Sequence, residues 1–141
     1  MPVSKTYLVP IDFSKHSELA LAHALELARA NRGKLLLVHV ILNPNVPVPL
    51  RRSYEEIVEK GANLEMDKLL RRYRLKPGEY RVVLLWGSDA AELIAEQARK
   101  SRASMIIMGS HGRTGLQHLL LGSVAEKTLR YAHCPVLIVK K

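Results

Sequence analysis

Ala103-Ser-Met-Ile-Ile-Met108-Gly109-Ser-His-Gly112-Arg-Thr-Gly115, with the later pair Gly122-Ser123, is the stretch of sequence that decides the fold. Its first six residues are apolar and rich in β-formers, which is typical of a strand buried on both faces of a parallel sheet. Glu126 completes a capping-box pattern with Ser123, and apolar residues follow at helical spacing, so a helix is predicted to begin there. The glycines therefore join the carboxyl end of a strand to the N-terminus of a helix.

The segment Gly109–Gly115, called the glycine loop below, has the character of an anion site. Glycine lets the backbone approach a ligand closely, and the free N–H groups of a helix N-terminus favour negative charge. Each glycine taken alone is explained as a turn residue, and it is the combination with Gly122-Ser123 that favours phosphate. The Ser123 hydroxyl either accepts the Glu126 N–H as an N-cap or donates to a phosphate oxygen. Arg113 supplies charge to a phosphate or is an ordinary exposed loop residue.

Short apolar runs alternate with longer segments of helical periodicity along the whole chain. This alternation predicts an α/β fold with a largely parallel sheet, because strands separated by helices pair side by side in one direction. The strands are predicted at 7–11, 34–42, 80–86, 104–108 and 135–139.

Three further helices are predicted between these strands. The first follows Ser14, the second begins near Ser53, where Glu56 completes a capping box, and the third begins at Asp89. The proline-rich segment 43–50 disfavours regular pairing, so we expect an exposed loop there and a candidate lid.

The composition bounds the class of protein. A chain of 141 residues suits one domain, 1–141, with a self-sufficient core. The chain opens without the apolar region of a signal peptide, and no apolar stretch approaches the ~20 residues needed to cross a bilayer. We therefore expect a cytoplasmic protein without membrane association. The single cysteine, Cys134, is expected to be a small buried side chain.

The net charge of +9 favours a different class of function, because a basic surface attracts phosphate backbones. The basic residues are scattered along the chain, however, and a single Phe and a single Trp leave little material for stacking on bases. A nucleic-acid-binding protein, in which the glycine loop and the helix N-termini contact backbone phosphate, therefore stays open as the second hypothesis.

The glycine spacing closely resembles that of the universal stress proteins, in particular the branch that binds ATP. That branch is recognised by Gly-x2-Gly-x9-Gly-Ser/Thr, and Gly109, Gly112 and Gly122-Ser123 fit it without insertion or deletion. Residues 7–14 and 134–139 also resemble the first and last strands of the family. The resemblance implies a Rossmann-like (HUP-type) open five-stranded parallel sheet of order 3-2-1-4-5 with helices on both faces. The first and fourth strands would then end side by side.

The same resemblance implies a set of nucleotide-binding residues. Asp12 would lie near the ribose and take part in holding Mg²⁺ together with the nucleotide phosphates, although a turn aspartate is the alternative from sequence alone. Pro10 and Val40 would line the adenine pocket, and the phosphates would lie against the glycine loop. The full set implied is Pro10, Asp12, Val40, Gly109, Gly112, Arg113, Gly115, Gly122, Ser123 and Val124.

Binding is better supported by the sequence than turnover. The P-loop pattern Gly-x4-Gly-Lys-Ser/Thr is absent, and no residue stands out as a catalytic base. We therefore expect a nucleotide-dependent sensor or regulatory module that is not an enzyme or is at most a slow ATPase. AMP or cyclic AMP is the alternative ligand. The apolar last strand, 135–139, would be an aggregation-prone edge if unpaired, and the family pairs it in a dimer, so we expect a homodimer.

Overall fold

The computed structural model describes residues 5–111 and 121–140, in which five strands alternate with four helices. The elements are β1 (Thr6–Pro10), α1 (Lys15–Ala30), β2 (Lys34–Leu42), α2 (Val48–Arg72), β3 (Tyr80–Gly87), α3 (Ala90–Ser101), β4 (Met105–Gly109), α4 (Ser123–Tyr131) and β5 (Val136–Val139). Every predicted strand is present, and its ends lie within one residue of the prediction.

All strand pairs are parallel, and the sheet order is β3-β2-β1-β4-β5, as the resemblance implied. In the central strand β1, Leu8 lies opposite Leu36 of β2 on one side and opposite Ile106 of β4 on the other. The chain first builds outward from β1 to β3 and then returns to add β4 on the other side. The strand order therefore reverses between β1 and β4, the place where open α/β sheets bind ligands.

Two apolar layers cover the two faces of the sheet. Val9 and Ile107 face α1 and α2, whereas their neighbours Leu8 and Ile106 face α3 and α4. All four side chains are completely buried, because successive residues of a strand point to opposite faces and both faces carry helices. This arrangement confirms the prediction of helices on both faces and explains why consecutive residues in the middle of these strands are apolar.

Two of the predicted helix starts are capped as the sequence indicates. The Ser14 side chain accepts a hydrogen bond from the Ser17 N–H at 3.2 Å, and the Asp89 carboxylate accepts one from the Glu92 N–H at 3.3 Å. Each bond satisfies an N–H group that has no partner inside its own helix. The residues that predicted the starts of α1 and α3 are therefore the ones whose side chains cap these helices.

The start of α2 differs from the prediction. The helix begins at Val48 and not near Ser53, so the predicted proline-rich loop shortens to residues 43–47. Pro47 is the N-cap and Pro49 is the second helical residue. Proline is compatible with these positions because the first N–H groups of a helix have no intrahelical acceptor and its fixed φ suits the first turn.

Helix α2 is the longest helix described, with 25 residues, and most of its surface is polar or charged. Within residues 5–111 and 121–140, no helix combines the length and the apolar character that crossing a bilayer requires.

Candidate functional site

Helix α4 begins directly at the carboxyl end of β4. The Gly122 N–H donates to the Ser110 carbonyl oxygen at 2.8 Å, which brings the two ends of the intervening segment together. The Glu126 N–H then donates to the Gly122 carbonyl oxygen at 3.0 Å, the first bond of the helical ladder. The N–H groups of the first three helical residues therefore have no acceptor within the helix and can bind an anion.

Ser123 does not cap this helix, so the capping-box interpretation is wrong, whereas donation from its hydroxyl to a phosphate oxygen stays a prediction. The N-cap is Gly122, with φ −61° and ψ 157°, and no side chain caps the helix. Ser123 is instead the first helical residue and is exposed, and Val124 beside it is 38% exposed. Because the extended residue that precedes the helix is Gly122, the helix starts at Ser123, one residue earlier than a serine cap would require. The Ser123 hydroxyl is thus available to a ligand.

Gly109 is needed for close packing. A Cβ atom at this position would lie 2.7 Å from the carbonyl oxygen of His16 and 2.8 Å from the Cβ of His16. Gly109 does not adopt a positive φ; among the described glycines only Gly78 does. The first turn of α1 therefore rests directly on the end of β4, a role that the interpretation of Gly109 as a phosphate-loop residue did not include.

Asp12 occupies the turn between β1 and α1. Its Oδ1 atom accepts the Ser14 N–H at 3.0 Å, and its own N–H donates to the Ser17 Oγ atom at 3.4 Å. Asp12 thus has the role of a turn aspartate in this structure. Among the described residues, no group of three His, Cys, Asp or Glu side chains could hold a metal ion. A metal at Asp12 would therefore take its other ligands from water or from nucleotide phosphates.

The same turn contains a strained residue that the sequence did not reveal. Phe13 has a φ of 65°, a conformation that is rare and costly for a bulky side chain. Its ring packs on His39 with the centroids 4.7 Å apart, and the His39 Nδ1–H donates to the Ile11 carbonyl oxygen at 2.6 Å. His39 is therefore a hydrogen-bonded histidine at the edge of the site. Its contact with Phe13 helps to fix the turn that carries Asp12.

The predicted adenine-pocket residues lie on the neighbouring strand ends. Pro10 is the last residue of β1 and pairs with Val38, which places Val40 two residues further along β2. Pro10 and Val40 are both half-buried.

The predicted site residues that the structure describes thus share the carboxyl edge of the sheet around β1 and β4. They are Pro10, Asp12, Val40, Gly109, Gly122, Ser123 and Val124. The other three predicted residues, Gly112, Arg113 and Gly115, lie outside the described residues.

A separate groove of about 530 Å³ runs beside α3 and contains none of the predicted site residues. Its wall includes the carboxylates of Asp89, Glu92 and Glu96, together with Tyr131 and His133. Three carboxylates repel phosphate, so this groove is a poor nucleotide site.

Several of the clustered basic residues lie away from Gly109 and the carboxyl edge of the sheet. Arg81 is the second residue of β3 and Lys76 precedes this strand, so both are at the opposite, amino edge of the sheet. Arg72 forms an ion pair with Glu18 of α1. These positions do not combine with the carboxyl edge of the sheet at Gly109 into one basic face.

Comparison with known proteins gives a consistent result. The model of the Universal stress protein family matches residues 4–140. The chain is 37% identical over 142 residues to Universal stress protein MJ0531 of Methanocaldococcus jannaschii, covering 97% of this chain and 82% of that protein.

Solved structures share the fold. The structure of hypothetical protein MJ0577 superposes on this chain with a TM-score of 0.85 at 29% identity, and the superposition covers 97% of this chain and 96% of the MJ0577 chain. Universal stress protein MJ0577 is a protein of Methanocaldococcus jannaschii. A universal stress protein from Archaeoglobus fulgidus, solved in complex with dAMP, superposes with a TM-score of 0.69 at 23% identity and covers 99% of this chain and all of its own. At that identity the likeness shows the fold alone.

Proposed function

The chain belongs to the universal stress protein family, and from this we propose that it binds an adenine nucleotide at the carboxyl edge of β1 and β4. The observation that carries the proposal is the hydrogen bond between Gly122 and Ser110, which holds the N-terminus of α4 at the end of β4. In our proposal the nucleotide phosphates accept hydrogen bonds from the first N–H groups of α4 and from the glycine loop. The complex of the Archaeoglobus fulgidus protein with dAMP shows that a protein of this fold can hold an adenine nucleotide.

The remaining parts of the nucleotide are assigned from the positions of the predicted residues. The adenine ring lies near Pro10 and Val40, which are half-buried and apolar. The ribose and a Mg²⁺ ion lie near Asp12, whose carboxylate is the type of ligand that Mg²⁺ prefers. Mg²⁺ neutralises phosphate charge when bound. ATP is the preferred nucleotide in this proposal, with AMP and cyclic AMP as the alternatives.

We propose regulated binding without efficient turnover. Phosphoryl transfer needs positioned cations and a residue that orients the nucleophile. The chain lacks the P-loop lysine, and no base for the nucleophile is evident in the sequence. Nucleotide occupancy would then act as the signal, and any hydrolysis would be slow.

The test is isothermal titration of the purified protein with ATP, ADP, AMP and cyclic AMP, with and without Mg²⁺. Nucleotide carried through purification is first removed and identified. Micromolar binding of ATP is the expected result. If the folded, empty protein binds none of the four, the proposal fails, and DNA or RNA binding with a steep salt dependence would then favour the nucleic-acid hypothesis.

Two substitutions separate ligand contacts from structural roles. Ser123→Ala removes a hydroxyl that does not cap α4, so the fold should be unaffected, and ATP affinity should fall about tenfold if the hydroxyl donates to phosphate. Asp12→Asn keeps an oxygen that can accept the Ser14 N–H, so the turn is retained while the carboxylate charge is lost. We expect it to reduce the Mg²⁺-dependent part of ATP binding.

Gly122→Val tests the close approach of phosphate. The φ and ψ of Gly122 are accessible to any residue, so the variant should fold, and its larger side chain should block the ligand. Unchanged ATP affinity in this variant would contradict the assignment of the phosphate site.

We also propose a cytoplasmic homodimer that pairs through β5. Within the described residues β5 has a strand partner only on the β4 side, and Leu137 in it is 39% exposed. Tyr131 and Leu129 of the neighbouring α4 are each 43% exposed, which adds apolar surface nearby. Light scattering at micromolar concentration should give the mass of two chains, and Leu137→Lys should give the mass of one. A monomeric wild-type protein would refute this interface, and cell fractionation tests the location.

A further inference from the structure

Two histidine rings lie close together beside Gly109. His16 is in the first turn of α1, and His111 follows Ser110 just beyond the end of β4. The ring centroids are 5.4 Å apart and the ring planes are inclined by 53°. The Nδ1 atom of His16 and the Nε2 atom of His111 are both buried, and neither has a hydrogen-bond partner in the part of the chain that is described.

Two unpaired buried nitrogens in one place need a physical explanation. Leaving a buried polar atom without a partner costs about 1–3 kcal/mol, so native proteins satisfy such atoms with protein groups, ordered water or an ion. The other described histidines present no such problem. His39 donates to the Ile11 carbonyl oxygen, and His23 and His133 are exposed.

The ring spacing fits one shared metal ion. Zinc binds imidazole nitrogen at about 2.1 Å, so a ring centroid lies about 3.2 Å from its ion, and two rings at the tetrahedral angle have centroids about 5.2 Å apart. The observed 5.4 Å agrees with this value. Imidazole also selects among ions, because it suits zinc, copper and nickel, whereas Mg²⁺ takes oxygen ligands.

Ser110 supplies a hydrogen-bond partner for the far nitrogen of the His111 ring. Its Oγ atom lies 3.0 Å from the Nδ1 atom of His111, and its side chain is buried. When Nδ1 carries the proton and donates it to this oxygen, the Nε2 atom presents a lone pair. Such a hydrogen bond on the far nitrogen fixes the ring and the tautomer in metal sites.

We propose that His16 and His111 together bind one divalent transition-metal ion of the zinc class beside Gly109. The remaining coordination positions are open to water or to an anionic oxygen. This site is distinct from the Mg²⁺ position proposed at Asp12, and it does not depend on the nucleotide. It is therefore tested without nucleotide, so that its failure and the failure of the nucleotide proposal are separate results.

The experiment is titration of ZnCl₂ into the full chain, carrying no affinity tag and treated with a chelator beforehand, at neutral pH and without nucleotide. The wild-type protein should bind one zinc ion. His16→Gln and His111→Gln should each weaken zinc binding at least tenfold. His23→Gln, on the exposed side of the same helix as His16, is the matched control and should bind zinc like the wild type.

Two further measurements keep the proposal testable if a variant does not fold. Ser110→Ala should lower zinc affinity by about 10–100-fold, the usual cost of losing the hydrogen bond behind a ligating histidine. In the wild-type protein, substoichiometric Co²⁺ should broaden the imidazole signals of His16 and His111 in nuclear magnetic resonance before those of His23 and His133. Zinc binding that persists in the folded His16→Gln or His111→Gln variant, or no binding by the wild type at millimolar zinc, would overturn the proposal.

Discussion

Gly109 is the point at which α1 and the sheet are in closest contact, and Gly109→Ala tests that contact. The added Cβ would lie 2.7–2.8 Å from three atoms of His16, two of which belong to the backbone. Backbone atoms cannot rotate away, so α1 must move by about 0.6 Å to restore ordinary contact, at a cost typical of core overpacking, about 1–3 kcal/mol. For a chain of this length, this corresponds to a fall in Tm of about 3–9 °C.

The matched control is Gly61→Ala, in the interior of α2. A Cβ atom at Gly61 meets nothing within 4 Å, so alanine adds helix propensity without a clash. It should raise stability by about 0.5–1 kcal/mol, or roughly 2–3 °C in Tm. Thermal unfolding followed by circular dichroism measures both variants. If Gly109→Ala melts at or above the wild-type temperature, the close packing of α1 on β4 is refuted.

Three other predictions concern stability and reactivity away from the site. Arg102, which ends α3 in the left-handed conformation with a φ of 54°, should tolerate glycine with a gain of about 0.5–1 kcal/mol in unfolding free energy. The Arg29 guanidinium and the Lys76 N–H hold the pKa of Glu79 below its usual value. The stability that this lowered pKa gives is complete above about pH 4.3, where glutamate in the unfolded chain titrates, and it is lost as the pH falls through the lower native pKa. In Glu79→Gln, the free energy of unfolding measured with urea should therefore fall less steeply with decreasing pH. Cys134 is half-buried and not fully buried as expected, and this partial burial raises the pKa of its thiol, so a disulfide reagent at pH 8 should react more slowly with the native protein than with the unfolded chain.

Each of these predictions has an outcome that contradicts it. Arg102→Ala keeps the strained backbone, so an equal gain from alanine would show that relief of strain is not the cause. Glu26→Gln changes an exposed α1 position without an ion pair among the described residues, and an equal flattening of its pH dependence in acid would remove the special role of Glu79. Native Cys134 that reacts as fast as unfolded Cys134 would show that burial does not protect the thiol.

The strands and most helices followed from the sequence because their signals are local. Apolar runs such as 34–42 are strands buried on both faces, and Ser14 and Asp89 cap helices through their own side chains. The strand order came from the spacing of the glycines, through the family resemblance, and the structure confirms it.

Helix boundaries were less predictable where one backbone conformation decides them. Arg32, Arg74 and Arg102 adopt left-handed conformations after α1, α2 and α3, where the sequence offers no glycine at the same position. Gly122, in an extended conformation, sets the frame of α4 and leaves Ser123 without a capping role. In each case several residues had similar local preferences, and packing of the helix on the sheet selected among them.

By itself, the sequence determined the alternating elements, the glycine spacing and the edge of the sheet at which a ligand is expected. Only the tertiary structure decided that Gly109 supports the backbone of His16, that Phe13 is strained against His39, and that His16 meets His111. These contacts join residues from different elements. Their distances depend on how closely α1 packs on the sheet, and no local preference of the chain encodes that separation.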